Sequence, residues 1–143
     1  MEEKKYTILE HTADIKVVVY GKSLRELFEN SVLALAEVLS PEIPFLSKVC
    51  PIYSKRGIKV SSYDIQTLLV DFLSEVNFLS EKNKEVYLKC RLLDFSEENK
   101  NLVSLVFGKK VKSFKLQVKG VTFYGLNIEK EDEFYKATVT FDI

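Results

Sequence analysis

The stretch Glu10–Lys16, EHTADIK, holds the chain's one histidine, His11, with two carboxylates and a threonine, and it runs into the apolar IKVVVYG. At the mouth of a strand such a set can form a hydrogen-bonded turn, an acid–base pair or half of a metal site. A Ser-His-Asp or Cys-His nucleophile would have to use His11, and no Gly-x-Ser-x-Gly elbow accompanies it. Neither Cys50 nor Cys90 has an activating context. No GxxxxGK[ST] or GxGxxG phosphate loop occurs among the five glycines. One histidine and two distant cysteines are too few for a four-ligand zinc site of nitrogen and sulfur.

Oxygen chemistry remains. Asp14 stands at a strand entrance, Asp142 one residue from the last position, and Glu75 on the border of an apolar helix face; Ile143 adds a terminal carboxylate. If these converge they make a hard anionic cluster of the kind that holds Mg²⁺ or Ca²⁺, because a dication removes the repulsion among close carboxylates. Spacing over such sequence distances does not establish convergence. Lys119, in VKGVTFYG, has two readings: a solvent-facing strand lysine, or an ammonium beside the acids that pairs with charge or contacts phosphate.

Those residues need elements to place them. YTILE (6–10) and IKVVVYG (15–21) read as strands joined by HTAD. Ser23 opens a helix with the S-x-x-E form of a capping box, and Leu24, Leu27, Phe28, Val32, Leu35 and Leu39 follow at helical spacing. Ser40-Pro41 ends that helix and PEIPF reads as loop. KVCPIY and GIKVS are short strand candidates, the first weakened by Pro51. A second helix spans about Asp64 to Leu79. On it Asp64, Asp71 and Glu75 fall within about 40° of one another, a solvated row or the rim of a site. Beyond Lys84 the pattern has period two: EVYLKCRLLDF, LVSLVFG, FKLQVKGVTFYGLNIE and FYKATVTFDI, with turns at SEENKN and KEDE. The expected class is α+β, two helices on a mostly antiparallel sheet, in a single domain over 1–143.

The totals narrow the function classes. Lys+Arg and Asp+Glu are both 21, which argues against a surface that coats nucleic acid but leaves room for a local basic patch. The charged opening MEEKKYTILEHTAD carries no signal peptide, and no apolar run approaches a membrane span. Both cysteines read as buried free thiols of a cytoplasmic protein.

Three segments together resemble the archease family. LEHTADIKVVVYGKSLRELFENS is similar to its N-terminal signature, YDIQTLLVDFLSEVNFL to its second helix, and VKGVTFYGLNIE with the closing VTFDI to its C-terminal strands. The resemblance covers essentially the whole chain in order. It implies a protein cofactor, not an enzyme: a partner of the RtcB-type RNA ligase that joins exons after tRNA intron removal. Archeases promote guanylylation of the ligase and its multiple turnover. The ligase is the implied partner and RNA is met through it, with no DNA and no membrane. The family carries an acidic site for a divalent metal, calcium or magnesium, or manganese. Carried over by position, its aspartates are Asp14 and Asp142, with Ile143 beside the latter, and its helix acid is Glu75, with Asp71 the alternative. The family lysine is Lys119. HTAD then serves to present Asp14, with His11 shaping the turn or lining the site ahead of ligating directly. Many members carry His where Tyr124 stands, and a phenol supplies a hydrogen bond but no proton shuttle near neutral pH. Two rivals stand beside this reading: a chaperone-like binding module with no chemical role, and a metal-dependent hydrolase acting alone.

Overall fold

The computed structural model describes residues 3–9, 14–122 and 126–143; His11 and Tyr124 lie outside them. The elements in chain order are β1 (Tyr6–Leu9), β2 (Asp14–Gly21), α1 (Leu24–Leu39), β3 (Pro41–Glu42), α2 (Phe45–Val49), β4 (Ser54–Ser61), α3 (Ile65–Asn83), β5 (Glu85–Ser96), β6 (Asn101–Lys110), β7 (Ser113–Phe114), β8 (Gly120–Thr122), β9 (Ile128–Glu131) and β10 (Phe134–Asp142). The α+β class and the antiparallel pairing are as expected, with the strands divided between two principal sheets. One has the order β1-β2-β10-β8, with β9 also on β10; the other is β4-β6-β5.

The two long helices lie between these sheets. Helix α1 packs on β2 and on β5, and α3 packs on β4, β5 and β8. A helix with sheets on both sides is buried over most of its circumference. Eleven of the sixteen residues of α1 are accordingly buried, including Asn30 and Ser31, whose side chains donate to the carbonyls of Tyr20 and Phe28. Phe28 of α1 joins the layers, stacking on Phe72 of α3 at 6.2 Å between centroids and meeting Phe95 of β5 edge-on at 5.0 Å. The inner faces of the sheets complete one core: Val17, Val19, Ala137, Val139 and Phe141 from one, Ile58, Leu92, Leu102 and Val106 from the other.

The helix starts follow their sequence signals. The Ser23 hydroxyl accepts from the Glu26 amide at 3.1 Å, and the Asp64 carboxylate accepts from the Thr67 amide at 2.7 Å. Ser40 closes α1 in the left-handed region, φ 49°.

Three local expectations are corrected. PEIPF is not plain loop: Pro41–Glu42 pairs with β7, and Pro44 opens a short helix. KVCPIY is not a strand: its first residues end α2, and Pro51 forces an extended backbone on Cys50 (φ −66°, ψ 128°). Cys50 is therefore exposed, while Cys90 is half-buried; both are free. FKLQVKG is not a continuous strand either. Its backbone bonds leave the ladder: the amides of Lys115 and Leu116 donate to the carbonyls of Ser40 and Leu39, and the Asn77 side chain takes the Val118 carbonyl. At its end the Lys119 amide returns to a strand, donating to the Asp142 carbonyl.

Candidate functional site

Strand register decides which distant acids meet. β10 runs antiparallel to β2 with Asp142 directly opposite Asp14, Thr140 opposite Lys16 and Thr138 opposite Val18. Direct partners in an antiparallel pair project to the same face, with Cα atoms about 4.5–5.5 Å apart. The core face of these strands is taken by Ile15, Val17, Val19, Ala137, Val139 and Phe141, so Asp14 and Asp142 both project from the other side. On the far side of β10 the partner of Asp142 is Gly120, where an added Cβ would meet nothing within 4 Å. The row Asp14–Asp142–Gly120 is thus two adjacent carboxylates beside open space.

Asp142 is exposed and Asp14 half-buried, with its Oδ1 removed from solvent. The backbone of Asp142 is fixed on both flanks, by the β2 ladder and by the Lys119 amide, which donates to its carbonyl at 2.7 Å. Like charges directly opposite on neighbouring strands repel, and a cation between them would relieve that repulsion. Ile143 follows immediately, and its side chain packs against the core.

A hard divalent cation suits this donor set. The donors are all oxygen, and they converge from two strands whose spacing is set by backbone bonds. Among the described residues no three His, Cys, Asp or Glu side chains gather as a metal group. Main-chain oxygens and water would have to complete a shell, as Ca²⁺ with six to eight ligands and Mg²⁺ with its retained waters both accept.

Lys119 lies next to the acids by backbone and on another flank by side chain. It lines a groove of about 340 Å³ with Ser74, Asn77, Phe78, Glu81 and Gln117, between α3 and the strand-bound segment. Asn77 anchors that groove: it is buried in α3 and donates to the Val118 carbonyl at 2.9 Å. The sequence signal for Asn77 was a lone amide inside the apolar EVNFL, and sequence reasoning passed over it.

The helix acids disperse. Asp64 is the N-cap of α3, and Asp71 accepts from the Ser62 hydroxyl at 2.7 Å. The Thr67 amide holds the Asp64 carboxyl below the usual carboxylate range. Glu75 is exposed and lies about 160° around α3 from Asn77 at 100° per residue. The structure therefore sets Asp14 and Asp142 side by side with the Lys119 amide against Asp142, and among the described residues Glu75 does not join them in a group of three acids. His11 lies outside the described residues.

Other perturbed groups serve the scaffold. Glu85, 1% exposed, receives both Arg56 Nε at 3.0 Å and Nη2 at 3.1 Å, and the Tyr87 hydroxyl at 2.9 Å. Burial pushes its carboxyl up, but the bonds from Arg56 and Tyr87 outweigh that and the net shift is downward. Burial drives the Cys90 thiol up to about 12, which makes it unreactive.

The class is a two-sheet α+β sandwich whose N- and C-terminal strands pair and set two acids side by side. Residues 6–143 match the model of the Archease protein family, and the chain belongs to that family. The protein archease of Methanosarcina mazei is 35% identical, the match covering 98% of this chain and 97% of that one. The Sulfurisphaera tokodaii protein archease is 31% identical over 98% and 99%. The solution structure of Methanobacterium thermoautotrophicum protein 1598 superposes with a TM-score of 0.74 at 28% identity, covering 97% of this chain and 99% of that one. A Thermotoga maritima crystal structure, described as an archease and possible chaperone, gives 0.62 at 18% identity over 100% and 98%, a likeness of fold alone. Among the described residues no helix is long and apolar enough to cross a membrane.

Proposed function

We propose that this chain is a metal-binding accessory protein of an RtcB-type RNA ligase in tRNA splicing, working in the cytoplasm and carrying no catalytic step of its own. The support is the register that sets Asp142 opposite Asp14 in a chain of the archease family. Asp14, Asp142 and the main-chain oxygens of Ile143 are the donors that would hold Ca²⁺, Mg²⁺ or Mn²⁺. Bound there, such a cation supplies a positive centre for phosphate oxygens. Asp14 and Asp142 keep their side chains on the solvent side of the sheet, where a partner's nucleotide pocket can reach them. Lys119, exposed and tied by its amide to Asp142, offers an ammonium on the neighbouring flank for phosphate groups of a docked partner. Its part is to stabilise charge while the ligase histidine is guanylylated.

The test is ligation by a cognate ligase with GTP, counting turnovers per ligase. The wild-type chain is expected to convert a single-turnover reaction into a multiple-turnover one. Asp14→Ala with Asp142→Ala is expected to abolish the stimulation; unchanged stimulation would overturn the metal reading.

A second reading draws on α2. Phe45, Leu46 and Ile52 are 75%, 79% and 76% exposed, and Val49 joins them. Such a cluster is a protein-contact surface, as a chaperone-like binding module requires. That reading predicts suppression of partner aggregation that persists in chelator and in the double aspartate variant.

A further inference from the structure

The three-stranded sheet turns its inner face to the helices, which leaves an outer face for solvent. Register defines that face row by row. Lys55 of β4, Phe107 of β6 and Lys89 of β5 form the first row; Gly57, Leu105 and Arg91 the second; Lys59, Val103 and Asp94 the third. The alternate residues Ile58, Leu92, Leu102 and Val106 are core, which fixes the outward direction of these rows. Two irregularities in β5, at Tyr87/Lys89 and Leu92/Asp94, keep Lys89 and Arg91 on this side.

The result is a half-buried line, Val103–Leu105–Phe107, flanked by four exposed cations. Among the described residues none of Lys55, Lys59, Lys89 or Arg91 is in a salt bridge. Asp94 is the single acid in the three rows, so the face is locally cationic on a chain of net charge zero. At its end Tyr53 sits under Lys89 Nζ and Lys109 Nζ, 4.3 and 4.1 Å from the ring centroid. Lys89 and Arg91 on β5 are about 7 Å apart, Lys55 and Lys59 on β4 about 13 Å, and cations facing each other across β6 about 10 Å. That geometry follows the backbone of an extended single strand, whose bases can lie on an apolar and aromatic strip.

We propose that this outer face binds single-stranded nucleic acid, with Lys55, Lys59, Lys89 and Arg91 on phosphates and Phe107 as a stacking surface. The face belongs to the sheet on the far side of the helices from Asp14 and Asp142, and binding here needs neither metal nor ligase. A structural explanation competes with it. β4 and β5 are edge strands, and lysines on edge strands discourage strand addition between molecules. Glutamate does that equally well but repels phosphate, so charge reversal separates the two.

The experiment is fluorescence anisotropy of the full chain in EDTA, with labelled uridine and thymidine oligonucleotides of about 12 nucleotides. Four phosphate contacts give a slope of log K against log salt near −3, so affinity is expected to fall roughly 50-fold between about 50 and about 200 mM salt. Whichever oligonucleotide binds tighter identifies the nucleic acid as RNA or DNA. The quadruple variant Lys55→Glu, Lys59→Glu, Lys89→Glu, Arg91→Glu is expected to lose binding while remaining monomeric. Reversal of Lys4, Lys5, Lys22 and Lys130, an equal charge change elsewhere, is expected to weaken binding less than threefold, roughly. If the quadruple variant fails to fold, Lys89→Gln with Arg91→Gln is expected to weaken binding about tenfold and reduce the salt slope by about half. No measurable binding, equal loss in both reversal sets, or equal competition by polyglutamate or by a duplex of the same length overturns the proposal.

Discussion

Two carboxylate sites in this molecule are built on opposite terms. Glu85 is sealed in the scaffold, and the chain supplies its own counter-charge: the Arg56 guanidinium binds both carboxylate oxygens and Tyr87 adds a hydroxyl. Asp14 and Asp142 are instead set against each other by strand register, at the border of solvent and next to a glycine. A bidentate Arg–carboxylate pair with its remaining oxygen valences filled is a structural solution. Two acids set side by side at the border of solvent are an arrangement that a hard cation would favour. The contrast separates carboxylates that hold the fold from carboxylates that the fold holds ready.

The strongest way to break this distinction is at Glu85. Glu85→Ala removes the acceptor of Arg56 and Tyr87 and leaves a gap under β5, and is expected to cost about 3 kcal/mol in urea unfolding. The acid limb of the stability curve should change with it. The folded carboxyl titrates below its ordinary value of 4.5, so its contribution is complete above that value and is lost as pH falls through the folded one. The variant is expected to lose less stability than wild type between about pH 5 and about pH 3. A parallel acid limb in the two proteins would show that Glu85 is no more structural than the surface acids.

The next effect belongs to the aspartate pair and has the opposite sign. Asp142→Asn removes one of two facing charges, so in EDTA it is expected to leave stability unchanged or raise it by about 0.5 kcal/mol. Saturating Ca²⁺, at about 100 times Kd, is expected to stabilise wild type by about 2.7 kcal/mol. Asn at 142 or at 14 should remove most of that gain, as calorimetry with and without the cation would record. A variant that loses stability in EDTA and keeps its Ca²⁺ response would place this pair among the structural acids.

Much of the fold was legible because local rules and tertiary demands agree. Ser23 caps its helix as the S-x-x-E pattern predicts, and 137, 139 and 141 face inward as their alternation requires, whereas Asp64, read as one of a row of helix acids, is the cap of α3. Legibility failed where a pattern had two causes. Residues 115–118 alternate like a strand, yet their bonds go to the end of α1 and to Asn77, and the chain returns to a strand partner at Lys119. α2 escaped because five residues between prolines are too short for a helical period. The site was half legible. Alternation put Asp142 on a polar face and HTAD put Asp14 at a strand entrance, but register between the two ends of the chain is a tertiary fact. Helical spacing likewise put Glu75 on a border of the apolar stripe without saying which border faces β8.

That last ambiguity gives the smallest and sharpest prediction. A helix packed between two sheets has two borders, and they open on different surfaces. Asn77, Ser74 and Glu81 open toward the segment that carries Lys119. Glu75 is turned about 160° from Asn77, toward the side where Asp71 meets Ser62. Glu75→Ala is therefore expected to change Ca²⁺ affinity less than twofold, under about 0.4 kcal/mol, and to leave stability within about 0.5 kcal/mol. Calcium titration of the Glu75→Ala and Asp14→Asn variants side by side would measure both. A loss at Glu75 equal to that at Asp14 would mean that the helix acid and the strand pair share one cation, and that α3 is rotated relative to β10 when the metal is bound.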